Sequence, residues 1–124
     1  MDIKQTLDAQ NSLAPAARTA TANGTGVDLA NFHSANVVFI VGTITDGTHT
    51  PSVQESDDNS TFTAVAAADL IGTLANLASN TNQRVGYRGT KRYVRAVTTV
   101  SGATTGGVYA GVVVRGDARK QPVA

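Results

Sequence analysis

The chain of 124 residues contains no cysteine and no tryptophan, and aromatic and charged residues make up only 5% and 15% of it. Without cysteine, disulfide scaffolds, thiolate metal sites and cysteine nucleophiles are excluded. No apolar run approaches the roughly 20 residues that a membrane-spanning helix needs. The first eight residues, MDIKQTLD, lack the basic region and apolar stretch of a signal peptide. We therefore expect a soluble protein made in a cytoplasm, with no membrane as a partner.

Small and β-branched residues take the place of the missing types. The hydrophobic content is 41%, which together with the low charge argues against a disordered chain. Because aromatic residues are sparse, a core has to be built mainly from Val, Ile, Leu and Ala. Val and Thr suit the half-buried surface of a pleated sheet. The length fits one domain with a single core.

Short apolar or alternating segments, separated by turn residues, predict about seven or eight strands. The clearest is 36–44, which is apolar at consecutive positions and is followed by the hairpin signal Asp46-Gly47. Residues 66–77 carry leucines at helical spacing, but Gly72 weakens a helix there, so we predict a loop with at most a short helix. The predicted strands cover residues 18–22, 36–44, 50–56, 61–65, 83–87, 92–100 and 108–115, and residues 27–32 are predicted as a further strand or a strand-edge loop.

This spacing of strands predicts an all-β fold, an antiparallel β-sandwich of jelly-roll or Ig-like type. In the last predicted strand every second residue from Val108 to Val114 is apolar, which places these residues on one face. We expect three regions: an extended N-terminal arm over residues 1–15, the β-sandwich domain over 16–116 and a C-terminal tail over 117–124.

No group of residues has the spacing of a catalytic or cofactor site. The two histidines, His33 and His49, flank loop-like segments outside any ligand-spaced cluster, which predicts exposed histidines and argues against zinc. Asp57, Asp58 and Asn59 predict a turn, since such side chains bond their own backbone; calcium is the alternative, although the EF-hand order is missing. Without a nucleophile motif we predict a non-enzymatic protein with no catalytic residues, no metal and no cofactor.

Charge is divided unevenly along the chain. Residues 1–83 hold two basic and eight acidic residues, whereas residues 84–124 hold eight basic residues and one acidic residue. The two parts either neutralise each other locally within one sandwich or form separate faces that meet between neighbouring molecules. Tyrosines between the basic residues would also suit nucleic-acid binding, but a net charge of +1 favours protein contact or a solvated face. The candidate contact residues are Arg84, Arg88, Lys91, Arg92, Arg95, Arg115, Arg119 and Lys120.

Two stretches resemble small structural proteins of tailed bacteriophages. Residues 53–62, VQESDDNSTF, resemble the pattern V-Q-x-S-D-D-G-S-T-F, with Asn59 where that family usually has glycine. Residues 84–95, RVGYRGTKRYVR, resemble the pattern R-V-G-Y-x-G-x-K-R-Y-V-R. The likeness extends over roughly residues 20 to 115. It indicates a head decoration (cement) protein or a related auxiliary virion protein.

This resemblance implies a structural role on the outer surface of a phage capsid. The partner would be the major capsid protein of the same phage, and the protein would form a homo-oligomer, with a trimer favoured. It implies no nucleic acid, membrane or cofactor as a partner. Two other functions stay open: a head–tail connector or tail component with the same sandwich, and a carbohydrate-binding module. The sugar-binding alternative is disfavoured by the shortage of aromatic residues.

Overall fold

The computed structural model describes residues 7–118, and within them the chain forms β-strands, turns and one short 3₁₀ helix at Ala67–Asp69. The strands are β1 (Asp8–Arg18), β2 (Ala22–Asn23), β3 (Val27–Asp28), β4 (Phe32–Ile44), β5 (Thr48–Ser56), β6 (Thr63–Ala64), β7 (Leu70–Ile71), β8 (Asn82–Tyr87), β9 (Tyr93–Ser101) and β10 (Gly107–Ala118). Over this range the structure has no helix of the length and hydrophobicity that would cross a membrane.

The strands build two antiparallel sheets. The first sheet has the order β1-β10-β4-β8-β7, and the second has the order β2-β9-β5-β6, with β3 also pairing with β9. The predicted all-β antiparallel sandwich is confirmed. The described residues form ten strands rather than seven or eight, because short segments beside the long strands pair over only two residues each.

The core lies between the two sheets and is formed by alternate residues of the long strands. Val37 and Phe39 of β4, Val94 of β9 and Val113 of β10 are all 0% exposed. The predicted strands 36–44, 50–56 and 83–87 are confirmed, and each begins one to four residues earlier than predicted. The predicted strand 92–100 is confirmed as β9, one residue later at each end. Along β10 the sheets approach so closely that a Cβ on Gly111 would lie 2.7 Å from the Cβ of Ala96 and displace it.

The predicted start of the first strand at residue 18 was wrong. Residues 8–15, which we expected in the arm, belong to β1 and pair with β10 from Asp8 opposite Arg115 onward. Leu13 is 2% exposed and anchors this strand in the core. Pro15 falls where the register shifts between Leu13 and Ala16, a position where a residue without an N–H donor does little harm. Residues 1–6 of the predicted arm lie outside the described part of the chain.

The predicted hairpin at Asp46-Gly47 was also wrong. The chain turns there, with Gly47 at φ 86°, but β4 belongs to the first sheet and β5 to the second. The reason lies in Asp46, whose carboxylate accepts backbone N–H groups from residues 104–106 at 2.7–3.2 Å. These bonds tie the corner to the β9–β10 turn, so the chain crosses between sheets instead of folding back.

The predicted turn after β5 and the predicted loop over residues 66–77 agree with the structure. Residues 57–62 connect β5 to β6, which pair as a hairpin. The segment 66–77 has no α-helix; it holds the 3₁₀ helix and β7. The strand β10 continues through Ala118, so the predicted tail begins within a strand, and its residues 119–124 lie outside the described range.

Candidate functional site

Most charged side chains gather at one end of the sandwich, where β1 and β4 begin and β5, β8 and β10 end. We call this region the charged end. The Arg92 guanidinium donates to both carboxylate oxygens of Asp28, at 2.9 and 2.8 Å, and lowers the pKa of that carboxyl. Lys91 Nζ lies 2.8 Å from Asp57, and Arg115 contacts Asp8. Each pair joins an acidic residue of positions 1–83 to a basic residue of positions 84–124, so these charges neutralise each other locally within one sandwich.

The two stretches that carry the phage resemblance meet at this end. The Tyr87 hydroxyl donates to Glu55 Oε1 at 2.6 Å and accepts the backbone N–H of Lys91 at 3.1 Å. Burial raises the pKa of Tyr87, and the hydrogen bond to the Glu55 carboxylate raises it further. Arg95 donates through Nε to Gln54 Oε1 at 2.8 Å and covers the Phe62 ring at 4.1 Å. These contacts fasten β5 and its hairpin to the β8–β9 corner.

The acidic hairpin of residues 57–60 is a self-contained turn. Asp58 Oδ1 accepts the backbone N–H groups of Ser60 and Thr61 at 2.9 and 3.0 Å and the Ser56 hydroxyl at 2.9 Å. The hydrogen bond from the Thr61 N–H is the largest cause of the lowered pKa of Asp58. Asn59 adopts φ 60°, a left-handed conformation in which glycine and asparagine are the usual residues. The turn prediction is confirmed, and the described residues contain no cluster of three acidic or histidine side chains that could hold a metal.

A cleft of about 400 Å³ opens at the charged end, between the start of β4 and the corner after β8. Phe32, Ala35 and Tyr87 form part of its apolar wall, and Lys91 and Arg92 lie on its polar side. Both cations already contact carboxylates, and the Tyr87 hydroxyl is committed to Glu55. These contacts hold the loops of the charged end in place. The cleft brings no nucleophile and base together.

The prediction that His49 is exposed was wrong. Its side chain is 1% exposed, and its Nδ1 lies 3.0 Å from the Tyr109 hydroxyl, which in turn lies 3.0 Å from Thr98 Oγ1. Its Nε2 lies 3.1 Å from the Asp46 carbonyl oxygen, so Nε2 carries the proton and Nδ1 accepts from Tyr109. His49 is a satisfied core residue. His33 lies in β4, and its side chain is outside what the structure describes.

The eight predicted contact residues do not form one cluster. Lys91, Arg92 and Arg115 are held in ion pairs with carboxylates of this chain. Arg95 bonds Gln54 and is half-buried, whereas Arg84 and Arg88 are exposed and make no ion pair with another described residue. Arg119 and Lys120 lie outside the described range. Only two of the six described candidates are therefore available for an external carboxylate.

The outward side of the first sheet carries an apolar surface that was not predicted from the sequence. We call it the valine face, and it consists of Val38, Ile40, Ile71, Val108, Val112 and Val114. Ile40 is 49%, Val108 47% and Ile71 60% exposed. Val112 lies opposite Val38 in the register of β10 and β4, so the apolar surface continues across both central strands. The alternation from Val108 to Val114 was the available signal, but it marks the outer face, while Tyr109 and Val113 enter the core.

The outward side of the second sheet has a different composition. Thr50 lies opposite Thr99, and Gln54 opposite Arg95. In the Ser52–Val97 pair between them, the valine is only 4% exposed. One outer face of the sandwich is therefore polar, as is usual for an antiparallel sheet in water. The other is apolar along β10 and β4, and Asn36, Asn82 and Arg84 border it.

No protein-family profile matches the chain, and no curated protein matches it in sequence. Among solved structures, the SPBc2 prophage-derived protein YomS is similar at 20% identity, over 87% of this chain and 94% of that chain, with a TM-score of 0.51. A protein of Bacillus endospore appendages gives a TM-score of 0.47 at 13% identity, over 92% of this chain and 90% of that chain. A protein of infectious bursal disease virus, strain Gx, gives a TM-score of 0.46 at 14% identity, over 94% of this chain and 34% of that chain. The likeness to YomS shows a shared fold; the other two are too remote to carry an argument.

Proposed function

We propose that this protein is a structural component of a tailed-phage particle, and specifically a head decoration (cement) protein on the outer surface of the capsid. It is made in the cytoplasm of the bacterial host and binds the major capsid protein of the same phage. Its action is passive, without a catalytic residue or a cofactor. A homo-oligomer, with a trimer favoured, would let each assembly contact several capsid subunits, so that modest single contacts add up through avidity.

The observation that carries this proposal is the meeting of the two resembling stretches. Gln54, Glu55 and Asp57 belong to the first stretch. Their partners Arg95, Tyr87 and Lys91 belong to the second. The residues that resemble phage structural proteins are thus the ones that hold the charged end together, which is what a shared scaffold requires. The fold shared with a prophage-derived protein supports the same origin.

A cryo-EM map of the phage particle tests the proposal directly. We expect this sandwich on the outside of the head, over junctions between capsid subunits. Density at the neck or the tail would reject the decoration role and favour the head–tail connector or tail component. A particle that contains none of this protein by quantitative mass spectrometry would refute a virion role altogether.

The geometry gives little support to sugar or nucleic-acid binding. Both functions use exposed aromatic rings as stacking platforms. Tyr87 and Tyr109 are 7% and 2% exposed, and the Arg92 guanidinium lies 5.3 Å from the centre of the Tyr93 ring. Binding to a glycan array, or retention of labelled single-stranded DNA at low salt, would contradict the proposal.

A further inference from the structure

We propose that the valine face is the surface through which this protein docks, and that its partner presents an apolar patch bordered by carboxylates. The inference rests on the proposed function, since it makes the major capsid protein the owner of that patch. It goes beyond that function by assigning the docking surface and the chemistry of the opposing one.

The apolar character of the face is the first argument. An antiparallel sheet with one solvated side normally alternates apolar inward and polar outward residues, and the second sheet does so at Thr50, Gln54 and Thr99. The first sheet instead places half-exposed Ile40 and Val108 in its neighbouring inner strands β4 and β10. A contiguous apolar surface of this kind marks an interaction site more often than a solvated one.

Charge identifies the kind of partner. Arg84 projects from β8 beside Val38. Arg88 lies one residue beyond the end of β8, with its N–H bonded to the Asp69 carbonyl. Both are exposed, without an ion pair in the described chain. No outward-facing position of β4, β8 or β10 for which the structure describes a side chain is a carboxylate. A second copy of β4, β8 and β10 would bring further cations and no described carboxylate, although Asp69 lies beside Arg88 at the edge of the face; a partner with carboxylates complements Arg84.

The test compares three variants on particles that lack this protein, prepared from a phage with the gene deleted. Ile40→Asp places a charge in the centre of the valine face, and Arg84→Glu reverses the complementary charge. Thr99→Asp adds the same charge to the polar outer face of the second sheet and is the matched control. Each protein is titrated onto particles, and the bound fraction is measured after sedimentation. We expect Ile40→Asp and Arg84→Glu to weaken binding by about tenfold or more, and Thr99→Asp by less than about twofold.

The outcomes separate the two proposals. If the unaltered protein leaves the particles bare, the proposed function fails and the docking role with it. If it binds and both valine-face variants bind equally well, the decoration role stands and the assignment of the face is overturned. Sedimentation velocity without particles tests whether a second copy of this chain covers the valine face instead. An oligomer that dissociates with Ile40→Asp but not with Thr99→Asp would show that it does, and would overturn the assignment to the capsid protein. Should Ile40→Asp unfold by circular dichroism, Arg84→Glu, an exposed charge reversal, decides alone.

Discussion

The buried chain of hydrogen bonds through His49, Tyr109 and Thr98 gives a quantitative prediction for Tyr109→Phe. The substitution keeps the ring and removes one hydroxyl. That hydroxyl serves two partners in a region where His49, Thr98 and Tyr109 are 1%, 0% and 2% exposed. Without it, His49 Nδ1 loses its donor and Thr98 Oγ1 loses its acceptor.

The magnitude follows from the number of groups left without a partner. A buried polar group without a hydrogen bond costs about 1–3 kcal/mol, so two such groups give a loss of about 3 kcal/mol in the free energy of unfolding. Thr98→Val removes its own hydroxyl but leaves the Tyr109–His49 bond intact, so we expect a loss of about 1 kcal/mol. In the double variant only His49 Nδ1 is unpaired, and the loss should be about 2 kcal/mol, less than the sum of the single losses.

Urea unfolding followed by far-ultraviolet circular dichroism measures these differences, since the chain has no tryptophan to report by fluorescence. The slope of the unfolding free energy against urea should be unchanged, so that the midpoint alone reports stability. A Tyr109→Phe protein within about 0.5 kcal/mol of the unaltered one, or single losses that add in the double variant, would refute the buried network.

Three further predictions concern other polar and close contacts of the fold. The hydrogen bond from the Gly106 N–H, and then that from Thr105, lowers the pKa of Asp46 below 3.8, so the stability that this carboxylate contributes is present above the unfolded pKa and is lost as the pH falls through the folded pKa. Asp46→Asn should therefore show a smaller drop in melting temperature below about pH 4 than the unaltered protein. An unchanged drop would exclude a stabilising role for these hydrogen bonds. Ser12 Oγ accepts the buried N–H of Ala96 at 2.8 Å, so Ser12→Ala should lower the free energy of unfolding by about 2 kcal/mol in urea, and a loss below about 0.5 kcal/mol would count against that bond. Gly111→Ala should cost about 1–3 kcal/mol by the same measurement, because its Cβ would overlap Ala96, and a neutral effect would show that the sheets can separate there.

Strands with a strong local pattern could be predicted from the sequence, and strands that depend on a distant partner could not. Residues 36–44 carry consecutive β-branched and aromatic residues, and β4 contains them all. In contrast, β1 reads DAQNSLAPAAR, with little alternation and a proline near its centre. It is a strand because β10 offers a paired edge and Leu13 reaches the core, and both facts depend on residues about a hundred positions away.

The charged residues illustrate the same limit. Arg92 and Arg115 were predicted as external contacts because they belong to the basic part of the sequence, residues 84–124. Asp28, 64 residues before Arg92, and Asp8, 107 residues before Arg115, become their partners only in the folded sandwich. His49 was misjudged for the same reason, since its partner Tyr109 is 60 residues away. A sequence pattern reports the chemistry of a side chain, whereas its availability is decided by tertiary neighbours.

The position of β10 between β1 and β4 has a consequence for how the molecule reaches its native state. The first strand described pairs with the last, Asp8 opposite Arg115, and the last strand also completes the centre of its sheet. A ribosome-bound chain therefore cannot close its core until residues 107–118 have left the exit tunnel. Because such long-range pairings must overcome a large loop-closure entropy, we expect folding in milliseconds to seconds once residues 107–118 are available for pairing. A nascent chain stopped before Gly107 should remain sensitive to protease.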